Sequence, residues 1–300
     1  MMTLTPPVLR PSFTQDLSPE AARLQGLRLL SAVMMLAGFG GITLLLTPGA
    51  LASASEVDLA VLQVPLPIAL AGVFCVGLAL QHWLGWRVGR LERRGWELLL
   101  AGRPEAAIRT LEVVVSAGSD VSRLQGYYGL TLAWLRRGDY ERALTLGEAA
   151  HRERRTRTSS VRDVQVPALM ATILALYGEL DDAREWVDRI RRPMFDETDH
   201  ELLAQAVMLC REGRDVEAVK RIQRTAREDV PEVDVGAVAV IHAFARSRLG
   251  GQRVPLKPGC VLPQRPARGS EYEYLACEWP ELAAFLRGEA PPAPAPVLDA

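Results

Sequence analysis

The chain has 300 residues, of which 49% are hydrophobic and 24% charged, and its formal net charge is −1. These averages describe an ordinary soluble protein of about two domains. Four cysteines are too few for a disulfide-rich scaffold, and the apolar content excludes a chain that is disordered throughout. Because a net charge near zero lacks the basic footprint of a general nucleic-acid binder, we expect no nucleic-acid partner.

The charges are distributed unevenly along the chain. Residues 29–55 and 59–86 contain no charged side chain. A bilayer core of roughly 30 Å needs about 20 apolar residues in a helix, and 29–46 and 68–86 come close to that length. Since backbone polar groups in lipid must be paired within the segment, the pattern predicts a transmembrane helical hairpin over 29–86, in contact with the lipid bilayer.

Basic residues lie on one side of this predicted hairpin. The flanking arginines are Arg10, Arg23, Arg28, Arg87, Arg90, Arg93 and Arg94. The connector between the two runs holds Glu56 and Asp58 and no basic residue. Because Lys and Arg favour the cytoplasmic side, we predict a multi-pass protein of the cell membrane, of the bacterial inner-membrane type, with a cytoplasmic N-terminal segment at 1–28 and a cytoplasmic C-terminus.

The first apolar run has a second interpretation, as a cleaved signal sequence. Ala50-Leu51-Ala52 and Ala52-Ser53-Ala54 have the small-x-small pattern of a cleavage site. The run is longer than a usual signal core, and the leader before it contains acidic residues, which favours a retained helix. If it is retained, Ala37 and Gly41 are predicted to pack against Ala71 and Gly72.

A repeat follows the predicted hairpin. Gly102, Gly138, Gly178 and Gly213 are 36, 40 and 35 residues apart. Each glycine is followed five residues later by an alanine and preceded four residues earlier by Leu or Trp. This pattern predicts pairs of helices joined by a tight turn, in which glycine adopts a backbone conformation that other residues disfavour and alanine allows close helix packing.

The second repeat unit resembles the tetratricopeptide-repeat (TPR) family, whose repeats are helix pairs of about 34 residues. Its matching positions are Tyr127, Leu130, Trp134, Gly138, Tyr140, Ala143 and Ala150. The resemblance covers about 87–250 and is degenerate, since Pro104, Leu180 and Asp215 stand where the second unit has Tyr140. It implies an all-α fold, a transmembrane helical hairpin followed by a TPR-like α-solenoid.

The resemblance also implies a groove lined by the first helices of the pairs, which holds a protein or peptide partner. The positions carried over are Gln125, Tyr128, Leu132, Arg136, Gln165, Ala168, Thr172, His200, Leu203, Val207 and Arg211. Tyr128, Arg136 and Arg211 are the strongest candidates for contact. The alternative is that several of these side chains pack between helices or face solvent.

Two further segments carry candidate interactions. A basic patch consists of Arg152, Arg154, Arg155, Arg157 and Arg162, and it is either a solvated helix end or a contact for anionic lipid. Residues 251–300 form a Pro-rich, largely disordered tail with a short predicted helix near 280–287. Its aromatic cluster at 272–285 either docks onto the repeats or binds a partner.

No motif for catalysis, cofactor binding or metal binding occurs, so we expect no enzyme, no cofactor and no metal site, although a membrane enzyme without a recognisable motif stays open. The sequence favours a membrane-anchored scaffold or adaptor that presents a cytoplasmic groove to other proteins. One alternative is an accessory protein of tetrapyrrole metabolism, because the layout resembles that of HemY-type proteins. The other is an extracytoplasmic assembly factor or chaperone with inverted topology.

Overall fold

The computed structural model describes residues 18–46, 66–153, 160–191, 198–250 and 269–289. Within these ranges the chain is all-helical and forms no β-strand. The α-helices are α1 (Pro19–Leu46), α2 (Leu66–Leu100), α3 (Pro104–Ala117), α4 (Asp120–Arg136), α5 (Tyr140–Arg152), α6 (Val166–Tyr177), α7 (Leu180–Asp188), α8 (Leu202–Arg211), α9 (Asp215–Arg224), α10 (Val235–Arg248) and α11 (Pro280–Leu286). A π-helical turn (Val161–Gln165) precedes α6, and 3₁₀ segments lie at Arg227–Asp229 and Gly269–Ala276.

Helices α1 and α2 are both long and apolar enough to cross a membrane. Only 11% of the most apolar window of each is buried, so most of that surface is open. The two helices run antiparallel, since the Ser31 hydroxyl donates to Oε1 of Gln81 across 2.9 Å and Arg87 pairs with Glu20 at 3.0 Å. Helix α2 continues without a break into the repeat region, so its second half is also the first helix of the first pair.

Glycines set the close approach of α1 and α2, in a register that differs from the predicted one. A Cβ at Gly38 would lie 2.7 Å from the Cβ of Phe74, and a Cβ at Gly77 would lie 2.9 Å from the Cγ of Met35. Ala37 is exposed and Gly72 has no neighbour within 4 Å of an added Cβ, so their predicted pairing is wrong. On α1 the contact uses Gly38 in place of Ala37 and keeps the predicted Gly41, where an added Cβ would lie 2.8 Å from the side chain of Leu70.

The first turns of α1 pack on the repeat region. Ala21 and Leu24 form a small apolar core with Leu84 of α2 and Val113 of α3. The Arg28 guanidinium donates to the backbone carbonyls of Ala117 and Gly118, where the last carbonyls of α3 lack partners within their own helix. The α1–α2 pair is therefore joined to the repeats by side-chain packing as well as by the chain itself.

Tight turns at the four repeat glycines confirm the predicted helix pairs. Gly102, Gly138, Gly178 and Gly213 all have positive φ, between 68° and 104°. At each turn the N–H after the glycine donates to the carbonyl of the residue four positions before the glycine, at 2.8 to 3.1 Å, which is the Schellman closure of a helix end. The alanines five residues on, Ala107, Ala143, Ala183 and Ala218, are completely buried. The left-handed turn at each glycine and the close helix packing at each alanine thus explain why these two residues recur together along the sequence.

One continuous core extends from the end of α2 to α11. It includes the side chains of α6 and α10 on nearly all of their faces. The 3₁₀ segment Gly269–Ala276 and α11 belong to the same core, because Leu275 and Leu282 are completely buried and Trp279 is 2% exposed. The tail predicted as largely disordered therefore contains a packed segment at 269–289, while 251–268 and 290–300 lie outside the described residues.

Candidate functional site

The structure divides the eleven predicted groove residues into two groups. Six are buried between helices, and these are Tyr128, Leu132, Ala168, Thr172, Leu203 and Val207. They follow the alternative that the sequence left open, and they offer little surface to a partner. The other five are half-buried, and these are Gln125, Arg136, Gln165, His200 and Arg211.

Two of the half-buried residues contact the packed C-terminal segment, residues 269–289. Arg211, the last residue of α8, donates from Nη2 to the backbone carbonyl of Glu278 at 2.9 Å. Its guanidinium carbon lies 4.5 Å from the centroid of the Trp279 ring, a cation–π geometry. The same Nη2 also donates to the carbonyl of Leu176 at the end of α6. Burial lowers the pKa of Arg211, although nearby glutamates oppose that effect.

Arg136 holds three distant parts of the chain together. It ends α4 and donates to the backbone carbonyl of Leu99 in α2 and, at 3.1 Å, to that of Val233 before α10. Asp234 lies beside it, and burial raises the pKa of that carboxyl to about 7 while Arg136 opposes the rise. Burial likewise raises the pKa of Tyr274 in the C-terminal segment, again opposed by Arg136. Arg136 therefore positions the start of α10 and the C-terminal segment that packs next to it.

Tyr140, the first residue of α5, forms a hydrogen bond with the C-terminal segment. Its hydroxyl donates to the backbone carbonyl of Tyr274, 134 residues later. The ring is 3% exposed and packs edge-on against Tyr177, with ring centroids 6.2 Å apart. The sequence assigned Tyr140 only to a repeat position, and its separation from Tyr274 along the chain gave no signal of this contact.

The indole of Trp279 occupies an aromatic pocket. Phe244 of α10 meets it edge-on, with ring centroids 5.1 Å apart, and Phe285 of α11 packs on the same Phe244 ring at 5.6 Å. Arg248 lies beside this pocket and forms two ion pairs, with its Nε 3.3 Å from Asp215 and its Nη1 3.3 Å from Glu281. Aromatic anchoring and a half-buried charge network thus hold α11 in place.

The segment also runs across two of the glycine turns. A Cβ at Gly138 would lie 2.7 Å from the Sγ of Cys277, and a Cβ at Gly102 would lie 3.5 Å from a carboxylate oxygen of Glu271. The missing side chain at Gly138 therefore serves both the turn itself and the passage of the segment.

We call the surface formed by Arg136, Tyr140, Arg211, Phe244 and Arg248 the docking groove.

The predicted basic patch is divided among different environments. Arg152 pairs with Glu148 on the exposed side of α5. Arg162 is 8% exposed and pairs with Asp163 at 2.8 Å, so it is an internal ion pair and not part of an open basic surface. Arg154, Arg155 and Arg157 lie outside the described residues.

Among the residues that the structure describes, no group of three or more His, Cys, Asp or Glu side chains is arranged to hold a metal ion. Family models, curated proteins and solved structures were compared with the chain, and none of them matches it. The docking groove and the two long apolar helices are the features of the described residues that point to a function.

Proposed function

We propose that the protein is a membrane-anchored, TPR-like helical scaffold whose docking groove holds a peptide segment on the cytoplasmic side. In this proposal α1 and α2 form the transmembrane hairpin and the repeat region recruits a protein partner next to the membrane. The groove holds the chain's own residues 269–289 in the unliganded state, and a partner segment of similar chemistry competes with them.

The observation that carries this proposal is the way in which the groove binds the C-terminal segment. Tyr140 and Arg211 donate to the backbone carbonyls of Tyr274 and Glu278. Backbone carbonyls are common to all peptides, so these two donors suit any segment that follows the same path. Recognition through main-chain groups with side-chain pockets for selectivity is a recurrent mode of peptide binding.

Selectivity would come from the aromatic pocket and from Arg211. An indole there packs edge-on with an aromatic ring, and a guanidinium lies over its face. Buried aromatic residues and arginines dominate binding energies at protein interfaces. The partner segment that fits is therefore a short helix preceded by Trp or Phe, as in the Trp279-Pro280 start of α11.

The helical-repeat part of the proposal is supported by the turns. Four glycines in the left-handed region and four completely buried alanines recur at 35 to 40 residues, close to the length of a TPR unit. The Trp134 and Tyr140 positions of the second unit are both buried, as a TPR-like helix pair requires.

The membrane part is supported by exposed apolar side chains. Leu36 is 73% exposed, Phe39 63% and Ile68 61%, on helices that carry no charge at those levels. An exposed apolar surface of this extent needs a cover, and lipid is the cover that suits two long antiparallel apolar helices. The arginine asymmetry orients the repeats toward the cytoplasm.

Peptide binding in trans tests the groove. In the full chain, purified in detergent, Trp279→Ala with Leu282→Ala weakens the internal dock. A fluorescent peptide of residues 269–289 should then bind to this release variant at least tenfold more tightly than to the parent protein, measured by fluorescence anisotropy. Adding Arg211→Ala to the release variant should abolish that gain. Equal binding to all three proteins would overturn the proposed groove.

In-cell cross-linking followed by mass spectrometry tests the scaffold role. Proteins that cross-link more strongly to the release variant, and that disappear when Arg211→Ala is added, are partners held by the groove. An identical cross-linked set from both variants would contradict partner recruitment.

A reporter fused to the C-terminus checks the topology, because activity only outside the cytoplasm would establish the inverted arrangement.

A further inference from the structure

One face of α2 carries arginines immediately after the apolar stretch ends. Residues at helical spacing on this face are Trp83, Trp86, Arg87, Arg90, Arg93, Arg94 and Glu97. Together with Glu20 and Leu91 they line an open groove of about 710 Å³. The opposite face of α2 packs inward, where Leu84, Val88 and Leu99 are buried. The arginine face is therefore the one that α2 leaves open.

Most of the positive charge on this face is not held in an ion pair. Arg87 pairs with Glu20 at 3.0 Å. Arg90, Arg93 and Arg94 are exposed, and no ion pair joins any of them to another residue of the described ranges. Four arginines and two glutamates line the groove, so it has an excess of two positive charges.

Two tryptophan rings orient the guanidinium groups next to the apolar surface. The guanidinium carbon of Arg90 lies 4.8 Å from the centroid of the Trp86 ring, and that of Arg87 lies 5.4 Å from the Trp83 ring. Stacking on a ring face leaves the N–H edge of a guanidinium free to donate. That edge matches the two oxygens of a phosphate group, which guanidinium groups bind through paired hydrogen bonds.

We propose that this groove binds the phosphate of an anionic phospholipid headgroup. The inference rests on the proposed insertion of α1 and α2 into a membrane. Trp86 ends the charge-free stretch, and the headgroup layer on each side of a bilayer is about 5 to 7 Å deep. A helical rise of 1.5 Å per residue places Arg90 roughly 6 Å beyond Trp86, within that layer, and Arg94 roughly 12 Å beyond it, just outside the layer. The acyl chains then lie along the exposed apolar side chains of α2, of which Val76 is 55% exposed.

Lipid retention by the full-length protein tests this site. Native mass spectrometry in detergent is carried out with added phosphatidylglycerol or phosphatidylcholine that have the same acyl chains. We expect phosphatidylglycerol to be retained preferentially. Replacing Arg90, Arg93 and Arg94 by Gln should weaken that binding by about fivefold for each charge removed, or roughly a hundredfold in total.

A matched control uses arginines that lie away from α2. Arg137 and Arg142 stack on the Trp134 ring at 5.0 and 4.6 Å, and Arg109 is exposed on α3. Replacing these three by Gln removes the same charge and should leave lipid retention unchanged. Equal retention of the two lipids, or equal losses in both triple variants, would overturn the site.

Two further measurements separate the other outcomes. Glycerol phosphate at the concentration of the lipid should not displace phosphatidylglycerol, and displacement would assign the groove to a soluble phosphate compound and overturn the lipid proposal. Alkaline carbonate should leave the protein in the membrane pellet. If the protein is extracted, the membrane anchoring under the proposed function fails, whereas retention in the pellet without a preference for anionic lipid contradicts the headgroup site alone.

Discussion

The guanidinium carbon of Arg211 lies 4.5 Å from the centroid of the Trp279 ring and joins the end of α8 to the start of α11, 68 positions later in the chain. The same arginine donates to the carbonyls of Leu176 and Glu278, so one side chain joins α8 to α6 and to the C-terminal segment. Its Nε is buried without a hydrogen-bond partner among the described residues. The buried guanidinium of Arg211 therefore depends on its contact with the Trp279 ring for stabilisation.

Removing the Trp279 ring should release the C-terminal segment. Trp279→Ala deletes an almost completely buried indole, and such truncations cost about 3 kcal/mol of unfolding free energy or more. Hydrogen exchange should show loss of protection at 269–289 with protection retained in α8 and α9. Trp86→Ala is the control, because that ring is 51% exposed and its removal should leave both measurements unchanged. Full protection of 269–289 in Trp279→Ala would contradict the anchoring role.

Substitutions at two repeat glycines distinguish the free-energy cost of backbone strain from that of steric contact. Gly213 has a φ of 74° and open space around an added Cβ, so Gly213→Ala should cost about 1 kcal/mol through the left-handed conformation alone. Gly138 has a φ of 81° and the Sγ of Cys277 2.7 Å from an added Cβ, so Gly138→Ala should cost more. Denaturant unfolding of both variants gives the comparison.

Cys277→Ala provides the internal check on the Gly138 prediction. In that background Gly138→Ala should cost no more than Gly213→Ala, because only the backbone strain is left. A double-mutant cycle measures the difference as a coupling energy between positions 138 and 277. Zero coupling would show that the segment does not pass over this turn.

The helix pairs could be predicted from the sequence because their signals are local. Each glycine, the apolar residue four positions before it and the alanine five positions after it lie within ten residues of one another, and the turn chemistry follows from those residues alone. The docking of 269–289 could not be predicted, since Tyr140 and Tyr274 are related only through the packing of all intervening helices. The aromatic cluster of the tail was the one available signal, and it left self-docking and partner binding open.

Close packing of α1 and α2 shows the limit of a local pattern. Ala37, Gly38, Gly40 and Gly41 are all small, so the sequence favours several helix faces almost equally. Contact with Phe74 and Leu70 selects the face of Gly38 and Gly41. Sequence spacing predicted Gly41 correctly but chose Ala37 where the contact uses Gly38, one residue later.

Gly38→Leu should separate α1 from α2, because an added Cβ already meets the backbone N of Phe74 at 2.8 Å. Gly40→Leu is the matched control, since nothing lies within 4 Å of a Cβ there. With the native cysteines replaced by Ala, Ser31→Cys and Gln81→Cys report the approach through disulfide formation in membranes. We expect efficient cross-linking in the parent and in Gly40→Leu and a marked loss in Gly38→Leu. Equal yields in all three would show that α1 and α2 meet through another face.

The last prediction concerns the carboxyl group of Asp234 beside Arg136. Burial raises the pKa of Asp234 from its ordinary value of 3.8 to about 7 in the folded protein. Between those two values the folded chain binds a proton that the unfolded chain lacks. The contribution of Asp234 to stability is thus fully present below pH 4 and is lost as the pH rises through about 7.

Asp234→Asn isolates that contribution, because the amide does not titrate. Denaturant unfolding of the parent and the variant from pH 4 to pH 8 should show the parent losing stability relative to Asp234→Asn as the pH rises to about 7, with a constant difference above that. The Val233 carbonyl accepts from Arg136 in either protein, so the variant should keep the start of α10 in place. A difference between the two proteins that is independent of pH would mean that the carboxyl is ionised in the folded state, and that Arg136 outweighs the effect of burial.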